Sequence, residues 1–520
     1  MRSTLRRIDG RGYKAYRDLI GKKERVKNYE MEFLRVQGDP FASPSVISVR
    51  VPFKKPEFSK SEVGVEDFLY RRLHYGLKRE SYRAGEGKSG YLGVPEPRSI
   101  MLRRSAVHLE EDLRFLFFVG LPARHRRILG IEAERIIYEK IPRALDFVLR
   151  YDEDEMRRHV ETYDLQEELR KKLRDLDLIA FVGDGSILPR KCGDCDAPLP
   201  GAVPFRSPDS LRISIETSLG EIVGMGIRRG ITAISGTAFH GKSTLLNAIR
   251  DGIYNHIPGD GRERVVSVKN SFKIRAEDGR SVRCVDISSF IYNLPSKKDT
   301  KCFSTDNASG ATSMAATVQE SVEIGANLLL VDEDTSATNL LFYDERTSHL
   351  FRHKTVKTLI ENARDMADRG ISLIIVSSGT LPLLESADTV IVMEDYAPRV
   401  VKIHGEMKFG EYREPEKRIL ARMPKIEKMK LQGSWLTSKS LSRPIRMEND
   451  EQVQENAQAN FIAHLLLNSK IEGKTMREIA KGIDDDSHLI YRTKSPALAE
   501  VRGMDVVFAL NRIPEIEIRR

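Results

Sequence analysis

The stretch GTAFHGKST, residues 236–244, is the feature that most constrains what this chain of 520 residues can fold into. It follows a short β-branched run, ITAIS, and has the spacing Gly-x4-Gly-Lys-Ser-Thr of a phosphate-binding P-loop. Glycines allow successive backbone N–H groups to turn inward, and the N-terminus of a following helix adds about half a positive charge. The helix is expected to face a sheet with its apolar residues Leu245, Leu246, Ala248 and Ile249. The sequence therefore predicts a strand, a phosphate-binding loop and a helix in this order.

The side chains of this loop have distinct expected roles. Lys242 is expected to reach the β and γ phosphates of a nucleotide, and the Ser243 hydroxyl to coordinate Mg²⁺. ATP and Mg²⁺ are therefore the expected cofactors. The residues assigned to cofactor binding in the loop are Gly236, His240, Gly241, Lys242, Ser243 and Thr244.

A second Gly-Lys-Ser sequence, RAGEGKSG at residues 83–90, does not meet the same pattern. Tyr82 stands where a P-loop needs its first glycine, and no clear strand precedes it. We interpret this segment as a flexible basic loop, either a polyanion contact or a plain turn.

The segment NLLLVDEDTSATN, residues 327–339, supplies the second half of a nucleotide site. Its buried apolar run ends in an acidic pair, the Walker B pattern. Asp332 is expected to hold the magnesium shell, and Glu333 is expected to be the catalytic residue that polarises the attacking water. Hydrolysis of ATP to ADP and phosphate is the expected activity.

Three blocks follow along the chain. Residues 1–200 form a basic N-terminal domain, 201–400 the ATPase domain and 401–520 a smaller C-terminal domain. Strand-like runs alternate with helical stretches in the middle block, which indicates a parallel α/β sheet. A segment rich in Gly, Pro, Asp and Ser, residues 181–210, marks the first boundary. Residues 145–176 have the spacing of one amphipathic helix.

Composition indicates a soluble globular protein, with 40% hydrophobic and 31% charged residues. The sequence has no apolar run of about 18 residues, so we expect no membrane association. Four cysteines do not make a disulfide framework in so long a chain, and a reducing, intracellular compartment fits. The pair Cys192 and Cys195 has the gap of a zinc knuckle but no second pair of ligands, while Cys284 and Cys302 are interpreted as core or loop residues.

Positive charge is concentrated in two regions. Residues 1–100 carry 22 Lys plus Arg against 13 Asp plus Glu, and residues 413–446 carry 10 against 3. Such regions favour a polyanionic partner, although solvated lysines on an ordinary surface give the same pattern. Tyr75, Tyr82 and Tyr91 lie among basic residues, an arrangement suited to RNA phosphates and bases. The residues assigned to nucleic acid binding are Lys78, Arg79, Arg83, Lys88, Arg124, Arg126 and Arg127.

Several motifs together resemble a known family. The P-loop, ASGAT in the place of the ABC signature, the Walker B pair and a following SATN resemble the ATP-binding cassette class in content and order. More narrowly, YNHIPGDGRE, VDISSFI, STDNASGATS and DEDTSATN resemble the predicted ABC-class ATPase family, found mainly in prokaryotes with a kinetoplastid mitochondrial RNA-editing accessory member. VQGDPFASPS, GLPARHRRILG and FVGDGSILPR extend the resemblance over nearly the whole chain.

The resemblance implies a fold and a mechanism. The fold is α/β, a P-loop NTPase of the ABC ATPase type with an α+β N-terminal domain and a smaller C-terminal block. Two chains form a homodimer that holds each ATP between the P-loop of one and Ser309 and Gly310 of the other. The usual switch histidine is replaced by Ser377 and Ser378, and Asp286 stands in for the missing glutamine of the Q-loop. Both departures predict slow hydrolysis. Within the HIPGDGRE motif, His256, Arg262 and Glu263 are either phosphate-side or structural residues.

The resemblance also implies partners and a location. RNA is the expected partner, bound in a basic channel of the N-terminal domain and linked to RNA processing or editing. A larger ribonucleoprotein complex is a further expected partner. The location is the mitochondrial matrix if the kinetoplastid resemblance holds and the cytoplasm otherwise. A nucleotide-gated scaffold for protein partners is the alternative, and a soluble transporter subunit is a third.

Overall fold

The computed structural model describes residues 1–193, 195–343, 353–403, 405 and 407–520. These residues form two compact units. The first unit contains Met1–Asp164 and Ser487–Glu500, and the second contains Leu165–Asp486 and Val501–Arg520. The three-domain division expected from composition stays a prediction.

The first unit combines an antiparallel sheet with helices. Its strands are β1 Lys23–Val26, β2 Tyr29–Arg35, β3 Ser45–Val51, β4 Leu92–Gly93, β5 Ile100–Met101, β6 Val107–Leu109, β7 Leu113–Val119, β8 Ala123–Arg124 and β9 Arg127–Ile128. Its helices are α1 Arg2–Ile8, α2 Glu62–Glu80, α3 Gly130–Arg135 and α4 Ile141–Leu149, with a π-helical turn at Ile136–Lys140. The main sheet has the order β1-β2-β3-β7-β4, and β6 also pairs with β7.

The core of this unit lies between the sheet and helices α2 and α4. Alternate residues of β2 are buried, as a half-solvated antiparallel strand requires. Helix α2 packs on α4 at Gly76, where an added Cβ would lie 2.9 Å from the Ala144 carbonyl oxygen. A larger residue at Gly76 would therefore separate the two helices.

The single helix predicted over residues 145–176 is wrong. The structure has α4, which ends at Leu149, and then α5 at Glu153–Asp175. Arg150 leaves the helical region with φ −95° and ψ 73°. Asp152 begins the next helix because its Oδ1 accepts hydrogen bonds from the Asp154 and Glu155 N–H groups. Apolar spacing continues across this break, which explains the error.

The second unit contains the remaining elements. Its strands are β10 Leu178–Gly183, β11 Arg212–Thr217, β12 Gly220–Arg228, β13 Ile231–Ser235, β14 Asn255–His256, β15 Val265–Ser267, β16 Ser271–Ile274, β17 Val282–Val285, β18 Phe303–Thr305, β19 Leu328–Asp332, β20 Ser372–Val376, β21 Thr389–Glu394, β22 Ala397–Val401, β23 Ile419–Arg422, β24 Lys430–Gln432, β25 Trp435–Thr437, β26 Ile445–Arg446 and β27 Glu517–Arg519. Its helices are α6 Lys242–Asp251, α7 Gly310–Glu323, α8 Thr338–Leu341, α9 Leu359–Asp368, α10 Leu381–Glu385, α11 Asn456–Asn468, α12 Met476–Asp484 and α13 Gly503–Leu510.

A six-stranded sheet of order β16-β19-β20-β13-β21-β22 forms the centre of this unit. All neighbouring pairs from β16 to β21 are parallel, and only β22 runs antiparallel. Every residue of β13, β19 and β20 is buried, which is typical of a parallel sheet covered on both faces. The predicted parallel α/β architecture is confirmed. The four apolar residues predicted for the inner face of α6 are also buried.

The cysteines differ from the expectation. Cys284 and Cys302 are joined by a disulfide bond, because β17 and β18 pair as antiparallel strands and bring the two Cα atoms to 4.0 Å. Cys192 and Cys195 are also disulfide-bonded, three residues apart. Among the described residues, no helix combines the length and the apolar character that crossing a bilayer requires.

Candidate functional site

The P-loop connects the end of β13 to the start of α6. Gly236 has φ +134°, and a Cβ there would lie 2.4 Å from the Met393 carbonyl oxygen. Gly241 caps α6 in the left-handed region at φ +94°. Only glycine satisfies both positions without strain. The backbone therefore forms the tight turn that a phosphate site requires.

Lys242 and Ser243 occupy the first turn of α6. The Lys242 side chain is mostly buried, and its ammonium donates hydrogen bonds to the carbonyl oxygens of Gly236 and Thr237. Ser243 is exposed and Thr244 is half-buried. The Lys242 ammonium thus lies at the mouth of the loop.

His240 connects the P-loop to the turn between β21 and β22. Its Nδ1 accepts a hydrogen bond of 2.8 Å from the Asp395 N–H, while the Asp395 carboxylate lies 3.7 Å from the same atom. His240 therefore has a structural contact that the sequence did not predict.

The acidic pair lies close to the P-loop because of the strand order. Asp332 ends β19 and is paired with Val376 of β20, which is in turn paired with Ile234 of β13. Two strand spacings, about 10 Å, separate Asp332 from Ile234. Burial raises the pKa of Asp332, while the Asp334 N–H and Lys273 act in the opposite direction.

Two donors from the loop after β20 hold the Glu333 carboxylate. The Thr380 hydroxyl donates to Glu333 Oε1 at 2.6 Å, and the Ser378 N–H donates to Oε2 at 3.0 Å. Ser377 supports this loop, because its Oγ accepts from the N–H groups of Gly379 and Thr380. Thr380 was not among the predicted site residues. The sequence could have indicated it, because Thr380 follows the buried strand β20 at the sheet edge where the P-loop also begins.

Ser309 and Gly310 begin α7. Ser309 is an exposed N-cap whose Oγ accepts from the Thr312 N–H at 3.4 Å. A Cβ on Gly310 would lie 3.2 Å from Asp278 Oδ1 and 3.8 Å from the Ala337 Cβ. The signature residues are therefore next to the segment that follows Walker B and are open to solvent.

Asp286 lies in a different environment. It is buried, and its Oδ1 accepts hydrogen bonds from the Ser288 N–H and hydroxyl. Its carbonyl oxygen accepts from Gln319 Nε2. Within the described residues, none of these bonds reaches the P-loop, and Asp286 as a substitute for the Q-loop glutamine stays a prediction.

The motif HIPGDGRE has structural contacts in the second unit. His256 is buried with Nδ1 2.8 Å from Asp260 Oδ2. Arg262 is buried, bonds to Asp251 and donates to the Leu188 carbonyl oxygen. These contacts favour the structural alternative over the phosphate-side one for both residues.

All seven predicted nucleic-acid residues are exposed. The structure brings the loop around Arg83 and Lys88 next to the hairpin of β8 and β9, since the Glu86 N–H donates to the Ala123 carbonyl oxygen at 2.9 Å. A Cβ at Gly85 would lie 2.2 Å from that oxygen, so the loop packs closely. The two basic segments therefore form one surface of the first unit, which we call the basic loop surface: Lys78, Arg79, Arg83, Lys88, Arg124, Arg126 and Arg127.

The ion pairs of this surface are few. Arg126 lies 3.2 Å from Asp39, and Arg127 donates to the Gly10 carbonyl oxygen. Among the described residues, Lys78, Arg79, Arg83, Lys88 and Arg124 make no ion pair. The local acids are occupied elsewhere, because Glu134 pairs with Arg2 and Arg6 and Glu132 with Arg135. In the part of the chain that the structure describes, Glu132 and Glu134 therefore form no ion pair with Arg124, Arg126 or Arg127. Tyr82 is less available than expected, since its hydroxyl donates to Glu132.

The residues present fit ATP and Mg²⁺. At Gly236 the backbone leaves no space for a side chain, and the Lys242 ammonium and the N-terminus of the ten-residue helix α6 favour an anion. A carboxylate at Asp332 and a hydroxyl at Ser243 are oxygen ligands of the kind Mg²⁺ takes beside phosphate and water. When bound, Mg²⁺ would supply charge neutralisation at the phosphates.

Comparison with known families agrees with this geometry. Residues 152–428 match the family model described as the P-loop domain of ABC ATPases, and residues 1–152 match that of the ABC-class ATPase N-terminal domain. The chain belongs to the ABC-class ATPase family. Its two matched regions meet at residue 152, where α5 begins. The P-loop fold of this family supports ATP binding.

Two individual proteins also resemble the chain. An uncharacterized protein of Methanocaldococcus jannaschii is 32% identical over 249 residues, which cover 46% of this chain and 55% of that protein. The chain thus spans about half the length of the curated relative it matches. The ADP-bound ATP-binding cassette of an ABC transporter is 11% identical, with coverage of 43% of this chain and 89% of that structure and a TM-score of 0.26.

Proposed function

We propose that this ABC-class ATPase binds ATP and Mg²⁺ at the P-loop and hydrolyses ATP slowly as a homodimer. In this proposal Lys242 holds the phosphates, Ser243 and Asp332 hold the metal, and Glu333 orients the attacking water. Gly236, His240, Gly241 and Thr244 shape the loop, and Ser309 and Gly310 of the second copy complete the site.

The main support for this proposal is the hydrogen bonding of the Glu333 carboxylate. Its carboxylate follows the central strand β19 and is fixed by the Ser378 N–H and the Thr380 hydroxyl. In the proposed mechanism these neutral donors take the place of the expected switch histidine, and neither a backbone N–H nor a threonine hydroxyl exchanges protons near pH 7. Slow turnover, below about 1 s⁻¹, follows for the proposed mechanism.

Two exposed apolar side chains at the same site support dimerisation. Phe239 in the P-loop is 95% exposed, and Leu381, directly after Thr380, is 55% exposed. In the proposed dimer the second copy would cover these two side chains, and aromatic residues are enriched at such interfaces. The exposed Ser309 N-cap is likewise free to meet a nucleotide held by a second copy.

Two variants test the nucleotide part. Lys242→Ala is expected to abolish tight ATP binding, and Glu333→Gln to keep ATP bound while stopping hydrolysis. Calorimetric titration with ATP and release of labelled phosphate measure the two effects separately. Hydrolysis by Glu333→Gln at the wild-type rate would contradict the assignment of the catalytic residue.

We further propose that the basic loop surface of the first unit binds RNA. The support is that all seven side chains are exposed and that, among the described residues, only Arg126 has an acidic partner, Asp39, so most of these cations are free to contact phosphates of a single strand. Binding should then weaken as salt rises, with a log-log slope of about −0.7 per phosphate contact. RNA processing or editing, a ribonucleoprotein partner and a mitochondrial location follow only from the kinetoplastid resemblance and belong to this proposal.

A triple variant tests this surface. Arg124, Arg126 and Arg127 replaced together by Ala should weaken binding of a single-stranded RNA and make the salt slope shallower by about two units. The matched control replaces Arg6, Arg7 and Lys54, which are exposed but ion-paired with Glu134, Asp18 and Glu57. An unchanged slope in the first triple variant would favour the alternative, a nucleotide-gated scaffold for protein partners.

A further inference from the structure

A cavity separate from the P-loop lies in the second unit. It measures about 340 Å³ and is walled by the segment Glu277–Ser281 and by residues of the small sheet β24-β25-β26. This volume is within the range of small-molecule sites. Its lining belongs in part to the second basic region, residues 413–446, which the proposed function does not use.

The charges of this cavity are arranged to receive an anion. Arg443, Arg446, Arg280 and Arg512 line it against two carboxylates. One carboxylate, Glu277, already accepts two hydrogen bonds from Arg512. Arg443 and Arg446 are exposed and make no ion pair among the described residues. The Arg446 guanidinium is therefore available to a ligand, and Arg443 keeps donors besides the Nη1 group, which is bonded to the Gly279 and Asp306 carbonyl oxygens.

An aromatic surface lies beside these cations. Trp435 is 38% exposed and lines the cavity, and the Arg446 guanidinium carbon lies 5.2 Å from the centre of its ring. A hydrogen bond of 2.9 Å from Trp435 Nε1 to Glu448 fixes the orientation of the indole. A fixed indole can stack on a planar heterocycle, and the neighbouring arginines can bind an anionic group attached to that heterocycle.

The wall also contains buried donors that lack partners. Arg280 Nε and Ser281 Oγ have no hydrogen-bond partner among the described residues, although both side chains are at least 95% buried. Both atoms are closed to solvent, so the ligand contacts proposed below are those of Trp435, Arg443 and Arg446 and do not depend on these two atoms.

The cavity is joined to the signature segment by hydrogen bonds. The Gly279 N–H donates to the Ala308 carbonyl oxygen at 2.8 Å, and Arg443 donates to the carbonyl oxygens of Gly279 and Asp306. Ser309 follows directly. A ligand in this cavity would therefore lie next to the proposed dimer contact.

We propose that this cavity binds a nucleoside phosphate, with its base against Trp435 and its phosphate on Arg443 and Arg446. The ligand is either a free ribonucleotide or one nucleotide unit of a single strand. In the second case the inference rests on the proposed RNA function and adds an RNA contact within the second unit. Stacking on an indole accepts any base, so little sequence preference is expected.

The test uses the intrinsic fluorescence of Trp435, which is the only tryptophan of the chain. AMP and a ten-nucleotide oligouridylate are titrated separately into the full-length protein. Saturable quenching is expected with at least one of them, and the pattern identifies the source. Quenching by AMP indicates a free nucleotide, and quenching by the oligonucleotide alone indicates a strand. Absence of quenching by both at millimolar concentration would overturn the proposal.

Variants assign the signal to this cavity. The double variant Arg443→Gln with Arg446→Gln should weaken the quenching affinity at least about tenfold, because two charge-assisted contacts are lost. Arg446→Gln alone should weaken it at least about threefold. The matched control, Lys430→Gln with Lys439→Gln, removes two exposed charges of the same region that do not line the cavity. Equal effects of the double variant and this control would refute the site.

A further arm separates this inference from the proposed function. Quenching should persist in Lys242→Ala, whose P-loop is disabled. Loss of quenching there, with normal quenching in Arg443→Gln and Arg446→Gln, would assign the signal to the P-loop and overturn the cavity site. The RNA surface of the first unit is judged independently by the salt slope of the Arg124, Arg126 and Arg127 variant.

Discussion

Thr380→Val removes a single hydrogen bond at the proposed catalytic centre. The Thr380 hydroxyl donates to Glu333 Oε1 at 2.6 Å, and valine has nearly the same shape without the donor. Thr380 is also the N-cap of α10, but its side chain makes no capping hydrogen bond, so the helix does not depend on the hydroxyl. A hydrogen bond to a charged group contributes about 1.5–3 kcal/mol. If this energy orients Glu333 in the transition state, kcat should fall by about 10- to 150-fold.

Steady-state phosphate release and ATP titration measure the effect. We expect kcat to fall while the dissociation constant for ATP and the Tm stay close to wild type, because Thr380 makes no described contact with the P-loop. Thr380→Ser keeps the hydroxyl and should restore most of the rate. Thr335→Val is the control, since its hydroxyl makes only a 3.4 Å contact with a backbone oxygen of Asp332. A wild-type kcat in Thr380→Val would refute the positioning role.

Three further predictions concern stability and the loop. Burial raises the pKa of Glu66 to about 7 from 4.5, despite hydrogen bonds from Tyr491 and the Leu109 N–H. The neutral carboxyl therefore stabilises the fold below pH 4.5, and this contribution of about 3 kcal/mol is lost as the pH rises to 7. Denaturant unfolding at pH 5 and pH 7.5 should show this decrease in the free energy of unfolding for the wild type but not for Glu66→Gln. An equal decrease in the variant would contradict the argument. Arg418→Met should lower the free energy of unfolding by about 3–5 kcal/mol, because it leaves the buried carboxylate of Glu323 without its ion-pair partner. The control, Arg422→Met, breaks an exposed ion pair and should lower it by less than about 1 kcal/mol. Equal decreases in the two variants would refute the argument. Gly236→Ala should weaken ATP binding and lower the Tm, since its Cβ would meet the Met393 carbonyl oxygen at 2.4 Å, and wild-type values of both would count against the tight-turn requirement.

Local patterns predicted the nucleotide-binding elements well. The strand before the P-loop and the strand that ends at Asp332 have the bounds that their apolar runs indicated. Both runs are short, continuous and followed by turn residues, so burial on two faces leaves few alternatives. Ser309 is the N-cap of α7, a position that serine favours, although no helix start was predicted at this residue.

Contacts between distant segments were not predictable in the same way. The bond between Glu333 and Thr380 joins residues 47 positions apart, and the packing of Gly85 on Ala123 depends on how a loop meets a hairpin. No periodicity within one segment encodes such contacts. The break at Arg150 was missed because apolar spacing continues on both sides of it, while the Asp152 cap depends on a single side chain.

The association state of Glu333→Gln tests the central claim most directly. In the proposed mechanism ATP joins two chains, and a variant that binds ATP without hydrolysing it keeps them joined. Light scattering after size exclusion, with ATP and Mg²⁺ present, should give twice the chain mass of 59.1 kDa, and the chain mass alone without nucleotide. Lys242→Ala should stay at the single mass under both conditions. A Glu333→Gln protein that binds ATP and remains at 59.1 kDa would contradict the ATP-joined dimer.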